Sequence, residues 1–120
     1  MYSDKVIDHF TNPRNVGTIE NADGVAEVGD SSCGDCIKLY LKVKDDCVDD
    51  IKYKVYGCAS AIATSSVFSE LVKGKTLEAA MQITDRDVAD ALEGLPETKM
   101  HCSNLATSAF HYAILNYILG

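Results

Sequence analysis

Ile37-Lys38-Leu39-Tyr40-Leu41-Lys42-Val43-Lys44 alternates apolar and polar residues without a break. A period of two marks a strand with one buried and one wet face. Ile51-Lys52-Tyr53-Lys54-Val55-Tyr56 repeats the pattern, and the acidic stretch 45–49 reads as the turn of a hairpin between them. Val25-Ala26-Glu27-Val28 supplies a shorter strand on the N-terminal side. Helical signals surround this meander. Ser3 can cap a first helix with Val6, Ile7 and Phe10 on one side, and Asn12-Pro13 ends it. Residues 14–24 are rich in Asn, Gly and Asp and read as loop. Residues 59–73 read as a helix with Ile62, Phe68, Leu71 and Val72 on its apolar side and Gly74 as its stop. Thr76 can cap a short helix through 83. Thr84-Asp85-Arg86-Asp87 resembles a capping box with Asp in place of Glu, and Gly94 ends the helix it starts. After a loop over 95–99, a last helix begins near His101 or Cys102, with a broad apolar stripe that includes Leu105, Ala109, Phe110, Ala113, Ile114 and Tyr117. The order predicts an α+β fold, with helices on one face of an antiparallel sheet of about three strands.

The 120 residues fit one domain, 1–120. A hydrophobic fraction of 47% with 24% charged residues excludes a disordered chain. Lys+Arg 11 against Asp+Glu 18 leaves a net charge of −7, which argues against nucleic acid or an anionic membrane surface as the main partner. No apolar run approaches the ~18 residues that span a bilayer. The N-terminus lacks the apolar segment of a secretory signal, so the expected location is the cytosol. Disulfides are rare there, and five cysteines cannot all pair internally. Metal or thiol chemistry is the leading expectation.

Cys33, Cys58 and Cys102 each fall where a loop meets a regular element. Cys58 and Cys102 fall at or just before helix N-termini, where free N–H groups and the helix dipole favour thiolate, the form that binds metal or attacks sulfur. The competing reading is that they are small buried hydrophobes, as free cysteines often are. Cys33-Gly34-Asp35-Cys36 is formally a C-x-x-C, but it runs into a period-two strand and no second pair follows. This weakens both a thioredoxin-like reading and a four-cysteine zinc ribbon. Cys36 should face away from the core, and Cys47 should be an exposed bystander in the charged turn. His101 adjoins Cys102, and the two can share a metal at an irregular first helical turn. His9 and His111 read as structural or surface groups. Asp35 is either a turn aspartate or an oxygen ligand beside a metal.

Tyr2-Ser3-Asp4-Lys5-Val6-Ile7-Asp8-His9-Phe10 followed by Asn12-Pro13-Arg14-Asn15-Val16-Gly17 resembles the start of the IscU/NifU-type iron–sulfur cluster assembly scaffolds. Cys33-Gly34-Asp35, Tyr56-Gly57-Cys58-Ala59-Ser60-Ala61-Ile62-Ala63, Val72-Lys73-Gly74-Lys75 and Lys99-Met100-His101-Cys102-Ser103 match further motifs of that family, in order, from Tyr2 to about Tyr117. The Leu-Pro and Lys-Met-His-Cys-Ser stretch looks closest to the N-terminal domain of the nitrogen-fixation member.

The resemblance implies a scaffold and not a conventional enzyme. It implies a three-stranded antiparallel sheet, helices on one face and a long C-terminal helix. It also implies a [2Fe–2S] cluster built from iron on Cys33, Cys58 and Cys102, with Asp35 or His101 near the fourth position. Cys102 would be the persulfide acceptor from a cysteine desulfurase, and apo iron–sulfur proteins would receive the product. Thiolates suit such clusters and also zinc. The alternative is therefore a zinc protein using the same Cys, His and Asp residues, or zinc held in the apo form. A homodimer is compatible with this class. In two places the chain departs from the family pattern. Cys36 stands where an apolar residue is usual. Leu95-Pro96-Glu97-Thr98-Lys99 differs from the Leu-Pro-Pro-Val-Lys segment that members linked to a DnaK-type chaperone present.

Overall fold

A computed structural model describes residues 2–30 and 35–120. The elements run α1 (Asp4–Thr11), β1 (Gly24–Asp30), β2 (Asp35–Lys44), β3 (Cys47–Tyr56), α2 (Ala59–Val72), α3 (Leu77–Met81), α4 (Asp85–Ala91), a 3-10 helix (Glu97–Cys102) and α5 (Ser103–Leu119). The strands form one antiparallel sheet in the order β1-β2-β3. Ile37, Leu39 and Leu41 of β2 stand opposite Val55, Tyr53 and Ile51 of β3, and this apolar face is covered by α2 and α5. The buried side is the one the alternation picks out. The other face carries Cys36, Lys38, Tyr40 and Lys42 opposite Tyr56, Lys54, Lys52 and Asp50. The isolated edge of β3 is covered in part by the chain after α1. Val16 bridges Tyr53 in parallel, and the Gly17 amide donates to the Tyr53 carbonyl at 2.9 Å.

Helix α5 lies close against the start of β1. A methyl group on Gly24 would overlap the Ala113 carbonyl, so glycine is needed for this approach. Phe68 of α2 and Phe110 of α5 meet edge to face, with ring centroids 5.5 Å apart. Together with Tyr53, Ile37, Leu39 and Leu41 they are among the largest fully buried side chains. The caps fall where the sequence places them. Ser3 Oγ accepts from the Val6 amide, and Thr84 and Asp87 form a reciprocal capping box.

Three local expectations are corrected. Ile7 and Phe10 are exposed, at 49% and 43%, while Val6 and His9 are buried. Helix α1 packs on α2, and a polar contact, His9 Nδ1 to Ser66 Oγ at 2.7 Å, sets the buried side. The turn after β2 is shorter than 45–49. Only Asp45 and Asp46 turn, both at positive φ, and Cys47 already pairs with Lys44. Residues 97–99 are not loop, because they open the 3-10 helix that leads directly into α5.

Candidate metal centre

Three termini meet at one end of the sheet: the start of β2, the end of β3 leading into α2, and the junction of the 3-10 helix with α5. They carry Asp35, Cys58 and Cys102, whose ligand-capable atoms all lie within 4.8 Å of one another. The Cys58 and Cys102 sulfurs are 3.6 Å apart. Two thiolates at ~2.3 Å from one tetrahedral ion would sit about 3.8 Å apart, so this spacing nearly matches a bound metal. Asp35 Oδ2 is 4.0 Å from Cys102 Sγ. His101 Nε2 is 3.6 Å from the same sulfur, on an exposed side chain. Cys33 lies outside the described residues.

The backbone holds these groups in place. Cys58 is the N-cap of α2, and no side chain caps that end. Its amide donates instead to Asp35 Oδ1 at 3.2 Å, tying the carboxylate of one element to the start of another. Gly57 makes room for this. It has φ +157, and a methyl group there would overlap Asp35 Oδ1 and press on Ala61. Thr64 Oγ1, one helical turn further along α2, donates to the Cys102 carbonyl at 3.1 Å and ties the 3-10 helix to α2. The sequence signalled Gly57 through its place beside Cys58, but nothing in it signalled Thr64.

The expectation that a helix N-terminus favours thiolate at Cys102 is corrected. The residue is 2% exposed. Burial, the adjoining Cys58 thiol and the Asp35 carboxylate push its thiol up to about 12, although Lys99 opposes them. The helix end supplies little help, because the Ser103 amide already donates to the 3-10 carbonyls of Met100 and His101. The other cysteines fall largely as read. Cys36 is half-buried on the outer face of the sheet, opposite Gly29 and Tyr56. Cys47 is half-buried at the start of β3, far along the sheet from Asp35, so it is less exposed than expected. His9 is structural. His111 is exposed and takes no part in the cysteine site.

A half-buried sulfur, a buried sulfur and a carboxylate, gathered where three elements begin or end, form a group with the donor chemistry to hold a soft metal at one end of an α+β arrangement of sheet and helices. The chain belongs to the family described as NifU-like N terminal domain, which matches residues 1–119. It is 61% identical over 117 residues to iron–sulfur cluster assembly scaffold protein IscU 1 of Archaeoglobus fulgidus, covering 98% of this chain and 76% of that protein. It is 51% identical over 120 residues to the protein of Escherichia coli K12 named iron–sulfur cluster assembly scaffold protein IscU, covering 97% of this chain and 93% of that one. The crystal structure of FiSufU from Fervidobacterium islandicum AW-1 superposes with a TM-score of 0.78 at 26% identity, over 94% of this chain and 96% of that one. The expected three-stranded sheet with a C-terminal helix is the arrangement observed. No helix among the described residues is long and apolar enough to cross a membrane.

Proposed function

We propose that this chain is a scaffold on which [2Fe–2S] clusters are assembled and from which they are passed on. The carrying observation is the convergence of Asp35, Cys58 and Cys102 within 4.8 Å, from elements far apart in sequence. Iron and sulfide are the cargo of this site. Cys58 and Cys102 supply soft donors, and Cys33 completes the thiolate set in this reading. Asp35, a harder donor, occupies the remaining position and keeps one iron exchangeable, and His101 stands beside it as a replacement donor. Such a mixed set suits a cluster that must leave. Ligands bind as anions, so metal entry must displace the Cys102 proton, and uptake should weaken as pH falls.

Sulfur arrives as a persulfide on a cysteine desulfurase. The Cys102 sulfur attacks the outer sulfur of that persulfide, the S–S bond of the donor breaks, and the donor cysteine leaves as thiolate. The transferred sulfur then accepts two electrons, from a thiol or an electron-transfer protein, to become cluster sulfide. Because Cys102 is buried, docking of the donor must open the junction between the 3-10 helix and α5. Apo iron–sulfur proteins take the finished cluster. The 3.6 Å spacing of the two sulfurs favours one second reading, zinc held at the same site when no cluster is present.

The test is anaerobic incubation with a desulfurase, cysteine and ferrous iron, followed by addition of an apo-ferredoxin. Visible absorption that forms on this protein and then moves to the ferredoxin supports the proposal. Sulfur that appears by mass spectrometry only on the peptide carrying Cys36, with no cluster formed, would refute it.

A further inference from the structure

Among the described residues no helix lies over the outer face of the sheet, and the charge of that face runs against that of the whole chain. With a net charge of −7 and only 11 Lys and Arg residues, the chain places four of them, Lys38, Lys42, Lys52 and Lys54, on this one face. Lys38 and Lys54 stand directly opposite each other across β2 and β3. Like charges in that arrangement destabilise a sheet, so nothing in folding selects them. Glu27 faces Lys38 from β1 and Asp50 faces Lys42. Among the described residues Lys42 pairs with Asp23 at 3.7 Å, while neither Lys38 nor Lys54 has a carboxylate within 4.0 Å. Lys38 Nζ lies 5.6 Å from the centre of the Tyr40 ring.

Between these lysines lies a pocket of about 280 Å³, with Cys36, Tyr40 and Tyr56 among its walls, Lys38 and Lys54 at its sides, and, among the described residues, Glu27 as the one carboxylate in its lining. Tyr56 is 72% exposed, a large aromatic surface left in water. An apolar recess flanked by two unpaired ammonium groups fits an apolar side chain with a carboxylate on either side. Four lysines on an otherwise acidic molecule are a small footprint for nucleic acid, which needs many phosphate contacts. The pocket also adjoins the metal centre. Cys36 follows Asp35 on β2, and Tyr56 is two residues before Cys58.

We propose that this face is a docking surface for an acidic segment of a partner protein, which it holds beside the metal centre. The surface rests on the scaffold reading only for its purpose. Its chemistry is testable in the metal-free protein, so failure of either idea is distinguishable from failure of the other.

The probe is a blocked pentapeptide, acetyl-Asp-Glu-Leu-Glu-Asp-amide, titrated into isotope-labelled protein at low salt while backbone amide shifts are followed. Shifts should concentrate on Cys36, Lys38, Tyr40, Lys54 and Tyr56. The double variant Lys38→Glu with Lys54→Glu should bind about tenfold more weakly, since two exposed pairs are reversed. Tyr56→Ala, which keeps both lysines, should also weaken binding and separate the pocket from charge alone. Chemical reconstitution of a cluster with iron and sulfide should be unchanged in the double variant, which also shows that it folds. Shifts centred on Lys73 or Lys99, equal binding by the charge-reversed variant, or tighter binding of a single-stranded oligonucleotide to the same face would each overturn the proposal.

Discussion

Cys58 and Cys102 are 44 positions apart, yet their sulfurs are in contact. Each was legible as a cysteine at a junction. Their contact was not, because it depends on how two helices dock. Cys58→Ser and Cys102→Ser should each lose most cluster retention, since a hydroxyl is a poor donor for iron of this kind. Cys47→Ser should behave as the parent protein. Absorption after reconstitution and desalting checks this, and a required Cys47 with a dispensable Cys58 would contradict it. Asp35 works in the opposite sense. Asp35→Ala removes a hard donor and leaves room for a softer one, so the cluster should be lost more slowly to a chelator and passed more slowly to an apo-ferredoxin. Faster loss in both assays would make Asp35 a stabilising ligand. At this scale the sequence does not show the burial of Cys102. A helix N-terminus favours thiolate where its amides are free and the sulfur is not desolvated, and here the Ser103 amide is taken up by the 3-10 carbonyls and Cys102 is buried.

At the level of elements, the strands were legible because β2 and β3 keep strict alternation, and the caps were legible because Ser3, Thr76 and Thr84 each do the expected bonding. Helix α2 was located but its faces were not. Its serines and alanines are buried on nearly every side, so no stripe stands out. Ser66 shows why. Its oxygen accepts from the Arg14 amide at 2.9 Å and shares a hydrogen bond of 2.7 Å with His9 Nδ1. Burial favours the neutral form of His9. Burial and Arg14 lower its pKa, and Glu70, 3.6 Å from Nε2, and Asp8 oppose them. The unfolded chain therefore takes up this proton first, and stability contributed here is full above about 6.5 and declines as pH falls below it. Thermal melts of the parent protein should drop between pH ~7.5 and ~5.5 more than those of His9→Asn, which keeps a hydrogen-bonding group for Ser66 but does not titrate. Equal slopes would remove His9 from the explanation. Gly57 joins β3 to α2. Gly57→Ala should lower stability by about 1–3 kcal/mol through backbone strain, and should displace Asp35 from the Cys58 amide. Chelator-driven cluster loss in this variant should shift toward that of Asp35→Ala. An unchanged rate together with an unchanged melting temperature would show that the close approach does not matter.

On the scale of the molecule, layer order, sheet topology and the end of the sheet that carries the site follow from patterns a reader of the sequence can find. The composition also pointed away from nucleic acid, but an overall charge of −7 hid the lysines gathered on one face. Register, not composition, brings Lys38 and Lys54 together. The architecture gathers Asp35, Cys58 and Cys102 at one end of the sheet, where β2 begins, β3 gives way to α2, and the 3-10 helix meets α5. The most direct measurement is iron and acid-labile sulfide content after anaerobic reconstitution, in the parent protein beside Cys58→Ser and Cys102→Ser. Iron and sulfide in equal amounts on the parent, with visible absorption, and neither on the two variants, is the expected result. A colourless parent that holds zinc without sulfide, or variants that retain the full complement, would contradict the assignment of this site as a cluster-building centre.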